Sequence, residues 1–107
     1  MTRTSYAGLA NRVVLITGGA SGIGAAFVRA FAAQQARVAF LDLDTDAGEA
    51  LVREVAAAGG SAPLFVPCDL LDIAALRDAM GQVRSKLGDA AVLVNNAAND
   101  QRQVLSE

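Results

Sequence analysis

The fold is decided by residues 16–27, ITGGASGIGAAF, in which glycines occupy positions 18, 19, 22 and 24. The β-branched run RVVLIT at residues 12–17 predicts a strand just before them. Ile23, Phe27 and Phe31 then fall four residues apart, which predicts a helix with that face buried. A helix N-terminus offers unpaired N–H groups, and glycine lets a phosphate approach the backbone. The stretch therefore predicts either a phosphate-binding loop or a tight structural turn.

The spacing of these glycines excludes two common phosphate loops. A Walker loop requires lysine and then serine or threonine directly after its second glycine, but alanines follow here at positions 25 and 26. The common dinucleotide fingerprint, G-x-G-x-x-G, places a small residue where this chain has Phe27. The pattern that remains is Thr17-Gly18-x-x-x-Gly22-x-Gly24.

The rest of the chain continues the alternation of strand and helix. Apolar runs at residues 36–42, 63–70 and 90–96 predict three further strands. Between them lie two predicted helices, with apolar faces formed by Ala47, Leu51, Val55 and Ala58, and by Ile73, Leu76, Met80, Val83 and Leu87. Because the strands are apolar without alternation, both faces of a parallel sheet should be buried. The predicted fold class is therefore α/β, with helices on both faces of the sheet.

The two later helices have recognisable start and stop signals. Thr45 or Asp46 is placed to cap the first of them, and Asp72 is placed to cap the second. Glycines at positions 59 and 60 are expected to end the first helix, and Gly88 the second.

Composition narrows the classes of function. With 107 residues the chain forms one domain at most, and 53 % hydrophobic content predicts a packed core. A net charge of −2 disfavours nucleic acid and anionic membranes as partners, and the apolar runs are too short to span a bilayer. We find no signal-peptide pattern. Cys68 is the single cysteine and there is no histidine, so neither a disulfide nor a zinc site is expected, and a reducing cytoplasm fits.

The loop sequence TGGASGIG resembles that of the short-chain dehydrogenase/reductase family, whose loop reads T-G-x-x-x-G-x-G. The resemblance extends over residues 9–98, and it implies a Rossmann-like parallel sheet with the strand order 3-2-1-4. It also implies an oxidoreductase that transfers hydride between a nicotinamide dinucleotide and a hydroxyl or carbonyl substrate.

The predicted preference is for NAD over NADP. Asp42 ends the second predicted strand, 18 residues after Gly24, close to where a carboxylate binds the ribose hydroxyls of a dinucleotide. Neither arginine nor lysine lies in the loop or just after Asp42, where the residues LDTD add further acid. In the alternative interpretation, Asp42 only ends the strand and does not bind a cofactor.

Two further motifs agree with the family pattern. In CDL, residues 68–70, the resemblance places Asp69 and Leu70 against the adenine, although Asp69 also fits a turn. In NNAA, residues 95–98, it assigns Asn95 to the tie between neighbouring strands, with alanine replacing the usual glycine at position 98. It also implies that Asn96, Ala97 and Ala98 line the ribose on the nicotinamide side. The cofactor-binding positions predicted in this way are Gly18, Ser21, Gly22, Ile23, Gly24, Asp42, Leu43, Asp69, Leu70, Asn96, Ala97 and Ala98.

The family's catalytic residues have no counterpart in this sequence. They are a serine, a tyrosine and a lysine four residues after that tyrosine, and the lysine lowers the pKa of the phenol. Tyr6 is the only tyrosine, it precedes the first strand, and Ala10 stands four residues later. We therefore assign no catalytic residue, and we expect residues 1–107 to be a cofactor-binding half-domain that ends after its fourth strand and is inactive alone.

Other interpretations of the sequence stay open. The chain could be a non-catalytic nucleotide-binding module or a structural fragment without a ligand. The exposed fourth strand predicts self-association into a homo-oligomer. The stretch NNAANDQR, residues 95–102, resembles the subset of the family that contains aldose 1-dehydrogenases, or it is simply a polar loop. A small hydroxyl or carbonyl substrate is expected only in a full-length form of the protein. If the resemblance to aldose 1-dehydrogenases holds, that substrate is a sugar.

Overall fold

The computed structural model describes residues 7–96 and shows the alternation that the sequence predicts. After a short 3-10 helix, Ala7–Leu9, the elements are β1 Val13–Thr17, α1 Gly22–Ala33, β2 Arg37–Asp42, α2 Thr45–Ala57, β3 Leu64–Pro67, α3 Ile73–Leu87 and β4 Val92–Asn95. The apolar runs predicted the existence of every strand but overestimated the lengths of β3 and β4. Within residues 7–96 each of these two edge strands has one neighbour, and its ladder covers only the last four residues of that neighbour.

All four strands are parallel, in the order β3-β2-β1-β4, which confirms the predicted topology. Val14 of β1 lies opposite Val38 of β2 on one side and Val92 of β4 on the other. Parallel pairing brings the carboxyl ends of the strands to one edge of the sheet. Thr17 and Asn95 lie opposite one another at this edge, and Asp42 lies opposite Pro67.

The helices cover both faces of the sheet. Helices α1 and α2 pack on the face that carries Val14, Ile16, Val38 and Phe40. Helix α3 packs on the opposite face, against Val13, Leu15, Ala39, Leu41 and Val66. Every residue of β1 is buried, as predicted, but β4 alternates between half-buried and exposed residues. The prediction that all strands are buried on both faces is therefore wrong for the edge strands.

The predicted buried face of α1 is also wrong. Ile23 is 69 % exposed and Phe27 is 37 % exposed, while Phe31 is only partly buried. The residues that α1 buries are Gly24, Ala25, Val28 and Ala32. Helix α1 uses its small residues to lie close to the sheet, so the larger apolar side chains are left on its flank and outer surface.

The other two helices show smaller differences of the same kind. Helix α3 buries Ala79 and Val83, whereas the predicted core residue Ile73 is 68 % exposed in its first turn. Helix α2 buries Gly48 beside Leu51 and Val55, because the ring of Phe65 occupies the space that a Cβ at position 48 would need. Both helices bury a small residue, Gly48 or Ala79, that a pattern based on large residues does not reveal.

Side chains cap α2 and α3, and one of these caps differs from the prediction. The Asp44 carboxylate, rather than Thr45 or Asp46, accepts the Ala47 N–H at 3.0 Å. Asp72 accepts the Ala75 N–H at 3.1 Å, as predicted. The C-terminal signals are confirmed, since Gly59 and Gly88 follow their helices with φ of 90° and 103°.

Candidate functional site

The candidate site is the loop between β1 and α1, at the carboxyl edge of the sheet. Ligands of open parallel sheets bind outside this edge, where neighbouring connections leave in opposite directions. Here the connection from β1 leads to a helix on one face, and β4 follows a helix on the other. The crevice between β1 and β4 therefore opens beside the glycine loop.

Two glycines provide backbone freedom and a third provides space. Gly18 and Gly22 have φ of 67° and 60°, in the left-handed region that favours glycine. Gly24 is different, because a Cβ there would overlap the Gly18 carbonyl oxygen and lie 2.9 Å from Gly19 Cα. The absence of side chains thus lets the start of α1 press against the loop that precedes it.

In the described part of the chain, the first turn of α1 begins without a side-chain cap. Ser21 is the N-cap, with extended backbone angles of φ −151° and ψ 166°. Within residues 7–96, its hydroxyl makes no capping hydrogen bond, whereas the aspartates at the N-caps of α2 and α3 do. The first turn of a helix has unpaired N–H groups and a partial positive charge. An uncapped first turn next to bare glycine backbone is suited to an anion such as a pyrophosphate.

Asp42 lies beside this loop at the end of β2. Its Oδ2 accepts the backbone N–H of Ala20 at 3.0 Å, and its Oδ1 accepts the N–H of Asp44 at 3.0 Å. The side chain therefore has a structural role that the sequence reasoning missed. A carboxylate has about four lone-pair positions, so two bonds of this kind leave acceptor capacity for a ligand hydroxyl.

Asparagines at the end of β4 hold the other side of the loop. Asn96 is buried and donates from Nδ2 to the Gly18 carbonyl oxygen at 3.1 Å. Asn95 accepts a hydrogen bond from Thr17 Oγ1 at 3.0 Å, which joins β4 to β1 by side chains as well as by backbone. Asn95 therefore links the strands as the resemblance implied, while the predicted contact of Asn96 with a ribose stays a prediction.

The other predicted residues lie at the same edge with varied surroundings. Asp69 accepts the Leu71 N–H at 3.0 Å, so the turn interpretation of Asp69 is observed, and its contact with adenine stays a prediction. Leu70 is half-buried against the core beneath α3. Cys68 is buried, and this burial, with the negative charges of Asp69 and Asp72, raises the pKa of its thiol.

The carboxyl edge also has an unusual concentration of exposed aliphatic side chains. Ile23, Leu43, Leu71 and Ile73 are 65 % to 69 % exposed, and each follows the carboxyl end of one of the first three strands. No other large hydrophobic residue in the described part of the chain is as exposed. Exposed apolar surface of this kind often marks a binding site for a ligand or a partner protein.

Some predicted positions lie outside the residues that the structure describes. These are Tyr6, Ala97, Ala98 and residues 99–102, which belong to the stretch that resembles aldose 1-dehydrogenases. Over residues 7–96, no cluster of histidine, cysteine, aspartate and glutamate suits a metal ion, and no helix has the length and hydropathy needed to cross a bilayer.

The parallel strand order β3-β2-β1-β4 with helices on both faces defines a Rossmann-like α/β fold, and here a glycine loop follows β1 and an acid ends β2. The family model for short chain dehydrogenase matches residues 12–107. The chain therefore belongs to the short-chain dehydrogenase family of oxidoreductases, whose members bind a nicotinamide dinucleotide.

Relatives with assigned names include sugar dehydrogenases. The chain is 51 % identical over 102 residues to a probable galactose dehydrogenase of Rhizobium meliloti, covering 95 % of this chain and 40 % of that protein. It is 41 % identical over 109 residues to the D-xylose 1-dehydrogenase of Caulobacter vibrioides, covering 100 % and 41 %. The chain thus spans about two fifths of the length of these relatives.

Solved structures agree with the family and leave the choice of cofactor open. A short-chain dehydrogenase/reductase mutant of Serratia marcescens superimposes with a TM-score of 0.76 at 40 % identity, covering 82 % of this chain and 36 % of that one. A metagenomic short-chain oxidoreductase in complex with NADP gives 0.74 at 34 % identity, covering 79 % and 38 %.

Proposed function

We propose that this chain is the NAD-binding half of a short-chain dehydrogenase that oxidises a small hydroxyl substrate, a sugar, or reduces the corresponding carbonyl. The observation that carries the proposal is the uncapped N-terminus of α1, packed against the glycine loop and flanked by the Asp42 carboxylate. The loop and the first turn of α1 would hold the pyrophosphate, and Asp42 would accept the ribose hydroxyls. When bound, the nicotinamide would exchange a hydride with the substrate carbon.

The choice of NAD over NADP is supported by charge. A 2′-phosphate would lie near Asp42 and near Asp44 and Asp46, which follow in the next few residues. No arginine or lysine lies within residues 13–28 or 38–52 to neutralise it. Placing like charges next to one another across a binding interface costs several kcal/mol of binding free energy, so we expect NADP to bind weakly.

Isothermal titration with NAD, NADP and ADP-ribose tests this proposal. We expect NAD and ADP-ribose to bind with similar affinity and NADP at least about tenfold more weakly. Asp42→Ala should weaken NAD binding and narrow the difference from NADP, whereas Asp78→Ala, which removes an exposed charge from α3, should change neither. Equal affinity of the unmodified chain for NAD and NADP would refute the cofactor assignment. Failure to bind any of the three would refute the nucleotide site.

The 107-residue chain is proposed to bind the cofactor without turning over. Its sequence has no tyrosine followed four residues later by lysine, which the family's acid–base chemistry uses. The sugar substrate is proposed from the names of the galactose and D-xylose dehydrogenases above. Incubation of the chain with NAD and either sugar, followed at the absorbance of NADH, should give no signal. Reduction of NAD would contradict the proposal of inactivity.

Self-association and a reducing compartment complete the proposal. Within residues 7–96, strand β4 is a sheet edge with Leu93 55 % exposed, and such edges pair readily with other chains. A single free cysteine, Cys68, is compatible with the cytoplasm. Sedimentation velocity of the chain should show a concentration-dependent dimer or larger species, and a monomer at all concentrations would refute the association.

A further inference from the structure

The backbone of the glycine loop is attached to the end of β2 by three successive amides. The N–H groups of Gly18 and Gly19 both point to the Leu41 carbonyl oxygen, at 2.8 Å and 3.3 Å. The third N–H, that of Ala20, donates instead to the Asp42 side chain. The first two bonds use backbone and are independent of residue type at position 41, but the third requires an acceptor side chain.

The same carboxylate extends this attachment to α2. Its second oxygen accepts the N–H of Asp44, the residue that caps α2. One charged group therefore links the loop after β1 to the start of the helix after β2. Hydrogen bonds to an ionised acceptor are about twice as strong as neutral ones, so this link is stronger than the two backbone bonds beside it.

Ala20 lies at the entry to α1, so the orientation of its peptide affects the whole proposed anion site. It directly precedes Ser21, the N-cap of α1, and it is buried. The direction of the Ala20 peptide therefore sets how the chain enters the first turn of α1. On the opposite side, Asn96 restrains the Gly18 carbonyl. Without Asp42, no side chain among residues 7–96 would hold the Ala20 amide.

We propose that Asp42 is a positioning residue for the pyrophosphate loop, in addition to its proposed role as the ribose acceptor. This inference rests on the proposed nucleotide site. It means that binding of the phosphates depends on Asp42 even when a ligand has no hydroxyls for the carboxylate to accept. It also means that replacing Asp42 to admit NADP weakens binding of the pyrophosphate for both NAD and NADP.

Titration with ADP and with 2′,3′-dideoxy-ADP separates the two roles, because the second ligand keeps the phosphates and lacks both ribose hydroxyls. A pure ribose acceptor would leave the affinity for dideoxy-ADP unchanged in Asp42→Ala. A positioning residue loses affinity for dideoxy-ADP as well, by about three- to tenfold, the equivalent of one hydrogen bond of ordinary strength. The matched control is Asp78→Asn, which removes an exposed charge from α3 and leaves the loop contacts intact.

Unchanged affinity for dideoxy-ADP in Asp42→Ala would overturn the inference, as would binding of ADP without any binding of dideoxy-ADP to the unmodified chain. Circular dichroism verifies folding, and Asp42→Leu, which has a similar size and no acceptor atom, replaces the alanine variant if that variant is unfolded. A ligand-free readout keeps the test separate from the proposed function. Amide exchange of Ala20, followed by NMR, should accelerate several-fold in the Asp42 variant and not in Asp78→Asn. If no nucleotide binds, the proposed function fails, and unchanged Ala20 exchange alone then overturns the inference.

Discussion

Replacing Gly24 by alanine should damage the loop and the helix together. An added Cβ would overlap the Gly18 carbonyl oxygen and lie 2.8 Å from the Gly18 carbonyl carbon, and both atoms belong to backbone. Carbon atoms in contact prefer about 3.5–4.0 Å, so the start of α1 and the loop must separate by roughly 1 Å. Overpacking of this kind costs about 1–3 kcal/mol of unfolding free energy, against a gain of at most about 1 kcal/mol from removing a helical glycine.

Gly81→Ala is the matched control for this substitution. Gly81 lies inside α3, and apart from its chain neighbours and the nearby backbone of its own helix no described atom lies within 4 Å of a Cβ added there. The same chemical change should therefore raise the free energy of unfolding by about 0.5–1 kcal/mol. Urea unfolding followed by circular dichroism compares the two variants, and titration with ADP-ribose compares their affinities. Because the loop also moves, Gly24→Ala should weaken ADP-ribose binding about tenfold or more, while Gly81→Ala leaves it unchanged. If both variants were equally stable and bound equally well, the argument from close packing would be refuted.

Two further predictions concern single hydrogen bonds, and a third concerns the buried thiol of Cys68. Asp72→Ala removes the acceptor of the Ala75 N–H and should lower the free energy of unfolding by about 1 kcal/mol in urea titrations, whereas Asp72→Ser should restore most of it. Asn96→Ala frees the Gly18 carbonyl and should cost about 1 kcal/mol in the same assay while weakening ADP-ribose binding; an unchanged affinity would mean that β4 does not support the loop. Burial raises the pKa of Cys68, so its contribution to stability is fully present below the pKa of the unfolded thiol, and it is lost as pH rises through the folded value. Cys68→Ala should flatten that alkaline decline in urea titrations between pH 8 and 11, and a decline of equal steepness would contradict the burial argument.

The sequence predicted the elements better than it predicted their packing. Apolar runs identified all four strands, because such runs can be recognised from local residue type alone. The buried face of α1 was missed because periodicity weights large residues such as Ile23 and Phe27. The contact surface is formed instead by small residues, including Gly24, that allow close approach.

In the candidate site, too, the sequence predicted the local features but missed the contacts between distant residues. The spacing of glycines 18, 22 and 24 and the placement of Asp42 were sufficient to indicate an anion loop and an acid beside it. The bond from Ala20 to Asp42 and the bond from Asn96 to Gly18 join residues that are far apart in the chain. No local pattern marks such pairs, because they arise only when β1, β2 and β4 lie side by side.

The sequence by itself determined that strands and helices alternate, and that bare backbone begins α1, since these properties depend on local residue type and spacing. Only the tertiary structure decided which helix faces are buried and what holds the loop in place. Parallel pairing brings the ends of β1, β2 and β4 to one edge, and there Asp42 from one side and Asn96 from the other restrain a loop that glycine alone would leave free.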